Sequence, residues 1–126
     1  MAAPTPVTNQ TQQGHNVHLL WDALWTDGNQ HTDKVVLDLS ALNYTSKIKI
    51  QKVVINASSG IDVRLELDAG TDELVASHPL GASGAITYDF RDTLNGGIVG
   101  SGDLLLSSLS GADGDRVMIE VVARTY

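Results

Sequence analysis

The chain has 126 residues, no cysteine, and 15 acidic against 8 basic side chains, for a formal charge of -7. That length makes one domain. The missing cysteines rule out disulfides, a thiolate nucleophile and cysteine-based zinc sites. The acidic balance repels phosphate backbones, and no apolar run reaches the roughly 20 residues of a membrane-spanning helix, so neither nucleic acid nor membrane is expected as a partner.

Residues 1–14 are polar, uncharged and rich in Thr, Gln and Asn. They have no apolar periodicity and lack the basic and apolar regions of a signal peptide. They read as an extended N-terminal arm, ordered by lying on its own body or on a neighbouring subunit. Residues 15–126 read as a single β-sandwich domain. In His15 to Trp25, the residues Val17, Leu19, Trp21, Ala23 and Trp25 share one parity. This predicts a strand with both tryptophans in the core, although Asp22 to Trp25 also fits one helical turn.

Lys34 to Ser40 predicts a strand with Val35, Leu37 and Leu39 inward. The stretch Lys47 to Asp68 is the organising element. Ile61, Val63, Leu65 and Leu67 alternate with Asp62, Arg64, Glu66 and Asp68, which places one face in a core and one in water. Ile48 and Ile50 alternate likewise, but Lys52 then falls where an inward residue is due, and a one-residue bulge near Gln51-Lys52 restores the phase. Ser58-Ser59-Gly60, with a positive φ open to Gly60, is expected to join the two strands as a hairpin. Further strands are expected at Glu73 to Ser77, Ala85 to Arg91, Asp103 to Ser108 and Asp115 to Tyr126. Thr93 to Gly102 is rich enough in glycine to predict an exposed loop.

That makes eight strands and no helix able to cover a sheet, so sheet must pack on sheet. The expected fold is all-β: an antiparallel sandwich of the jelly-roll type with about eight strands. A seven-strand immunoglobulin-like sandwich is the alternative. Val36, Leu105, Met118 and Val122 are apolar at outward positions. Met118 and Val122 lie on one strand, four apart, as one patch for a subunit contact or for cover by a loop or the arm.

No catalytic constellation is found, and no enzyme is expected. His15 and His18 point to opposite faces of a strand and lack the adjacent carboxylate of a metalloprotease helix; His31 and His78 lie elsewhere. The acidic turns at Asp27-Gly28-Asn29, Asp68 to Glu73 and Asp113-Gly114-Asp115 do not have the spacing of a calcium loop, and Asp, Asn and Gly favour turns for backbone reasons. Ser58, Ser59, Ser101, Ser107 and Ser108 stand in no nucleophile elbow, and Gly96-Gly97 and Gly100-Ser101-Gly102 lack the lysine of a phosphate loop. The expectation is no catalytic, metal or cofactor site. Trp21, Trp25 and Tyr44 together make the one candidate sugar platform, weighed against core packing of the tryptophans.

The run from Gly102-Asp103-Leu104-Leu105-Leu106 through the turn Gly111 to Asp115 and the final strand Arg116 to Val121 resembles the end of small jelly-roll head decoration (cement) proteins of tailed bacteriophages. There a Gly-Asp-Ile/Leu-Leu-Leu strand precedes a glycine-rich turn and a long last strand. The Lys52 to Val63 segment and the polar arm are compatible with that family, and the resemblance covers about the last two-thirds of the chain. It implies a virion structural protein with no active site. Such a protein is assembled in the host cytoplasm, sits on the capsid surface and stabilises it by binding across major capsid protein subunits, with other copies of itself forming dimers or trimers. The contact residues it suggests are Pro4, Thr5, Pro6, Val7 and Thr8 in the arm, with Met118 and Val122 on the last strand. A carbohydrate-binding β-sandwich module, free or on a virion surface, is the alternative.

Overall fold

The computed structural model describes residues 6–26, 28–43, 47–68, 72–93 and 96–125. Its strands are β1 (Val7–Gln13), β2 (Asn16–Leu24), β3 (Lys34–Leu37), β4 (Ile48–Ala57) and β5 (Asp62–Leu67), followed by β6 (Glu73–His78), β7 (Gly84–Asp89), β8 (Ile98–Gly100), β9 (Leu104–Leu109) and β10 (Arg116–Thr125). One sheet runs β1-β2-β10-β4-β7, with β8 also on β4; the other runs β3-β9-β5-β6. Every pairing is antiparallel.

The pairs are nested. β2 lies beside β10, β3 beside β9, β4 beside β7, and β5 beside β6. Read from both ends, the chain closes inward on the β5–β6 hairpin, and successive pairs alternate between the sheets. This is the jelly-roll winding, and it separates the fold from the immunoglobulin-like alternative.

Alternation along each strand fills the space between the sheets. Trp21 and Trp25, Ile48, Ile50 and Ile55, and Leu65 and Leu67 are all buried in one cluster. The expected bulge is present: Val122 pairs with Lys52 and Ala123 with Ile50, so Gln51 is the extra residue.

Several expectations are corrected. β4 and β5 do not form a hairpin; they lie in different sheets, with their apolar sides facing across the core. Period-two patterning is the same in both arrangements, so it cannot tell a hairpin from a corner between sheets. Gly60 is also not among the residues with positive φ. A Cβ there would stand 3.3 Å from the Asp115 carboxylate, and that close approach is what the small residue serves. In β3 the inward valine is Val36, and Val35 is exposed, because the register with β9 slips between Val35 and Leu37.

The glycine-rich 93–102 segment contains β8, which pairs with Ile48, Lys49 and Ile50. Its glycines permit close approach. A Cβ on Gly97 would lie 2.6 Å from the Ile50 carbonyl oxygen, and one on Gly102 would collide with the Asp68 carbonyl.

The 1–14 arm, over Val7–Gln13, is the edge strand β1, paired in unbroken register with β2. Gly14, at φ +61°, leads the two-residue loop that turns it back, the II′ pattern. Gln10 binds both backbone groups of Asp38, its Oε1 accepting from the N–H and its Nε2 donating to the carbonyl, each at 3.2 Å. Gln12 does the same with Asn43, at 2.7 and 2.8 Å. These amides close one open side of the sandwich. The opposite side is closed by Tyr88, whose hydroxyl donates to the Ser77 carbonyl at 2.9 Å, and by His78, whose Nε2 donates to the Gly84 carbonyl at 2.9 Å.

Candidate functional site

The outer face of the β1-β2-β10-β4-β7 sheet carries the feature most unlike ordinary solvated sheet. Antiparallel register sets its side chains in rows across the strands. One row is Val7, Asp22, Met118, Asn56 and Ala85; the next is Asn9, Leu20, Glu120, Val54 and Thr87. Val7 is 74% exposed, Met118 44% and Leu20 43%. With Val54 and Ala85 they line a groove of about 430 Å³, and Asn9, Asp22, Asn56 and Glu120 supply its polar positions.

Two carboxylates on this face are ion-paired. Arg116 grips Asp22 with both ends of its fork, Nε to Oδ1 at 3.0 Å and Nη2 to Oδ2 at 2.5 Å. These hydrogen bonds hold the Asp22 carboxyl below its ordinary range, against a smaller opposing effect of burial. Arg91 grips Asp89 in the same way and holds it down to about 2. His18 Nε2 stands 3.5 Å from Glu120. The result is an apolar groove whose Asp22 is ion-paired with Arg116 and whose Glu120 lies beside His18.

The sequence-derived contact residues are distributed as follows. Val7 and Met118 share the groove. Val122 lies on the same face in a separate shallow depression beside His18 and Asn16. Thr8 is exposed and pairs with Trp21, Pro6 is half-buried, and Pro4 and Thr5 lie outside the described residues. Of the other outward apolar residues, Leu105 is buried although it is not part of the core cluster. Leu20 and Val54 were missed, yet their signal was legible: each is an aliphatic at an outward parity in a strand whose inward set is already complete.

The residues weighed for chemistry are committed elsewhere. Trp21 and Trp25 are buried, and His31 sits edge-on between them at 5.9 and 5.7 Å. A tryptophan sugar platform is therefore absent, and Tyr44 lies outside the described residues. Ser108 accepts from the His31 N–H at 3.1 Å and donates to Gln30 Oε1 at 2.9 Å. Gln30 in turn donates to the Gly111 carbonyl at 2.6 Å, so Ser108 belongs to a structural tie between β9 and the loop after β2. His15 Nδ1 lies 3.0 Å from the Thr125 carbonyl. In the 113–115 turn, Asp115 accepts from the Ala112 N–H at 2.9 Å, a backbone-turn role. Asp27 and residues 69–71 of the other acidic turns lie outside the described residues. Among the described residues, no three His, Asp or Glu side chains converge as metal ligands.

No family model and no curated protein matches the chain. Among solved structures, it is similar to a mutant of a carbohydrate binding module of family 29, at 10% identity and a TM-score of 0.35, covering 96% of this chain and 78% of that one. It is similar to a second mutant of a family 29 module at 9% identity and a TM-score of 0.35, covering 97% and 75%. A third is the cobalt(II) form of HppE in complex with substrate, at 14% identity and a TM-score of 0.30, covering 92% of this chain and 51% of that one. Likeness at this level says nothing about what the chain binds.

Proposed function

We propose that this chain is a capsid decoration protein, a rigid jelly roll that docks on major capsid protein subunits through the outer face of its larger sheet. The observation that carries the reading is the groove where Val7, Leu20 and Met118 leave apolar surface in water beside paired charges. Burying such surface is favourable at about 25 cal/mol per Å², and the Arg116 pair means that Asp22 would not be covered as a lone charge. The sequence resemblance to phage head decoration proteins supplies the partner. Each copy need add only a few kcal/mol, because many copies act together on a closed shell. A sugar-binding module would stack its ligand on exposed rings, and neither tryptophan is available for that.

The test is co-sedimentation with undecorated shells of the phage that carries this chain. Met118→Asp and Leu20→Asp place charge in the groove and should abolish binding. Leu109→Asp, on the outer face of the smaller sheet, should bind like the unaltered chain. Equal binding by all three variants would remove the groove from the mechanism.

A further inference from the structure

The two sheets have four edges, and they are not alike. β3 is four residues long, begins with Lys34 and has a register slip. β6 begins with the charged Glu73 and is bulged against β5. β7 ends at Asp89 and shares its edge of β4 with the offset β8. Charge, shortness and bulges are the devices that keep sheet edges from pairing with another chain. β1 has none of them. It is seven residues long, Val-Thr-Asn-Gln-Thr-Gln-Gln, uncharged, without proline, and in unbroken register with β2. Among the described residues, nothing pairs with its outer side.

The direction of its free backbone groups follows from the turn. Gln13 and Asn16 close a two-residue loop, so theirs is a hydrogen-bonded pair. Antiparallel pairs alternate, so Thr11, Asn9 and Val7 also bond to β2, while Gln12, Gln10 and Thr8 direct N–H and C=O away from it. These three positions are symmetric about Gln10. A second copy laid antiparallel along β1, with a two-fold axis at Gln10, sets Thr8 against Gln12 of the other copy and Gln10 against its own image. Each of these is a hydrogen-bonded pair. Side chains of one strand then meet the same uncharged set reversed, with no like charges opposed.

We infer that β1 is the self-association edge of this protein and that its occupant is the β1 strand of a second copy, joining two larger sheets into one continuous sheet. The two-fold axis runs perpendicular to the sheet, so both grooves emerge on the same side. This inference stands independently of the capsid reading.

The test uses the full chain in three forms, measured by sedimentation equilibrium with circular dichroism as the check on folding. The unaltered chain should show the mass of two chains. Asn9 and Thr11 lie on the exposed outer face and oppose each other across the axis. Lys at both positions, or Glu at both, should each give a monomer with unchanged strand content. Mixing the Lys and Glu forms in equal amounts should restore the mass of two chains. A monomeric unaltered chain up to its solubility limit would overturn the inference. So would Lys and Glu forms that remain dimeric, or a mixture that stays monomeric. If the Lys form fails to fold, the Glu form alone decides.

Discussion

Leu65 and Arg64 are neighbours in β5 with opposite fates, and their contrast tests the inward and outward phase of the whole smaller sheet. Leu65 is fully buried, flanked in register by Ala76 on β6 and Leu106 on β9. Leu65→Ala removes three carbons, worth about 0.8 kcal/mol each in transfer from water. The cavity left between two packed sheets adds to that, for a total loss of roughly 2–5 kcal/mol. Arg64 is exposed, between Ser77 and Ser107, and Arg64→Ala should cost less than about 0.5 kcal/mol. In urea melts, with a slope of about 1–3 kcal/mol per molar, the first change should move the midpoint by at least about 0.7 M and the second hardly at all. Equal, small shifts for both would refute the phase assignment and, with it, the placement of β5 against β4 across the core.

Deleting residues 2–13 takes away an edge strand and the Gln10 and Gln12 ties to Asp38 and Asn43. Thermal melts should therefore show a loss of roughly 5–15 °C, from hydrogen bonds worth about 0.5–1.5 kcal/mol each and a few degrees per kcal/mol; an unchanged Tm would show that β1 does not belong to the sandwich. Gly102→Ala should destabilise strongly or prevent folding, because its Cβ would collide with the Asp68 carbonyl, whereas Gly28→Ala meets open space and should be neutral in the same melts. Asp22 has a folded-state pKa depressed below its ordinary 3.8, so the stabilisation from Arg116 is present above that value and lost as pH falls through the folded pKa. Asp22→Asn should flatten the acid limb of stability measured below about pH 4, and an unchanged limb would show that the Arg116 pair contributes nothing.

What could be read from the sequence was whatever depends on parity along a single strand. The inward sets of β2, β4, β5 and β10 follow from alternation, and the Gln51 bulge follows from a break in it. Pairing between strands is a different matter. The Ser58 to Gly60 corner looks like a hairpin because local pattern carries no record of which sheet a strand joins. The arm was hidden for a related reason: β1 buries no apolar side chain, and its inward residues Gln10 and Gln12 are held by hydrogen bonds to backbone 28 and 31 residues away. β8 was hidden because the glycines that let it approach β4 and the Asp68 carbonyl are the same residues that signal a loop. The groove was half legible. Met118 was visible as an outward apolar residue, but its meeting with Val7 depends on β1 pairing with β2 and β2 with β10.

The central claim is that this jelly roll stabilises a capsid from outside. The most direct measurement is the temperature at which DNA-filled particles release their genome, taken with and without saturating amounts of the full chain. The account predicts saturable binding and a higher release temperature for the decorated particles. An identical release temperature, or no binding at all, would contradict it.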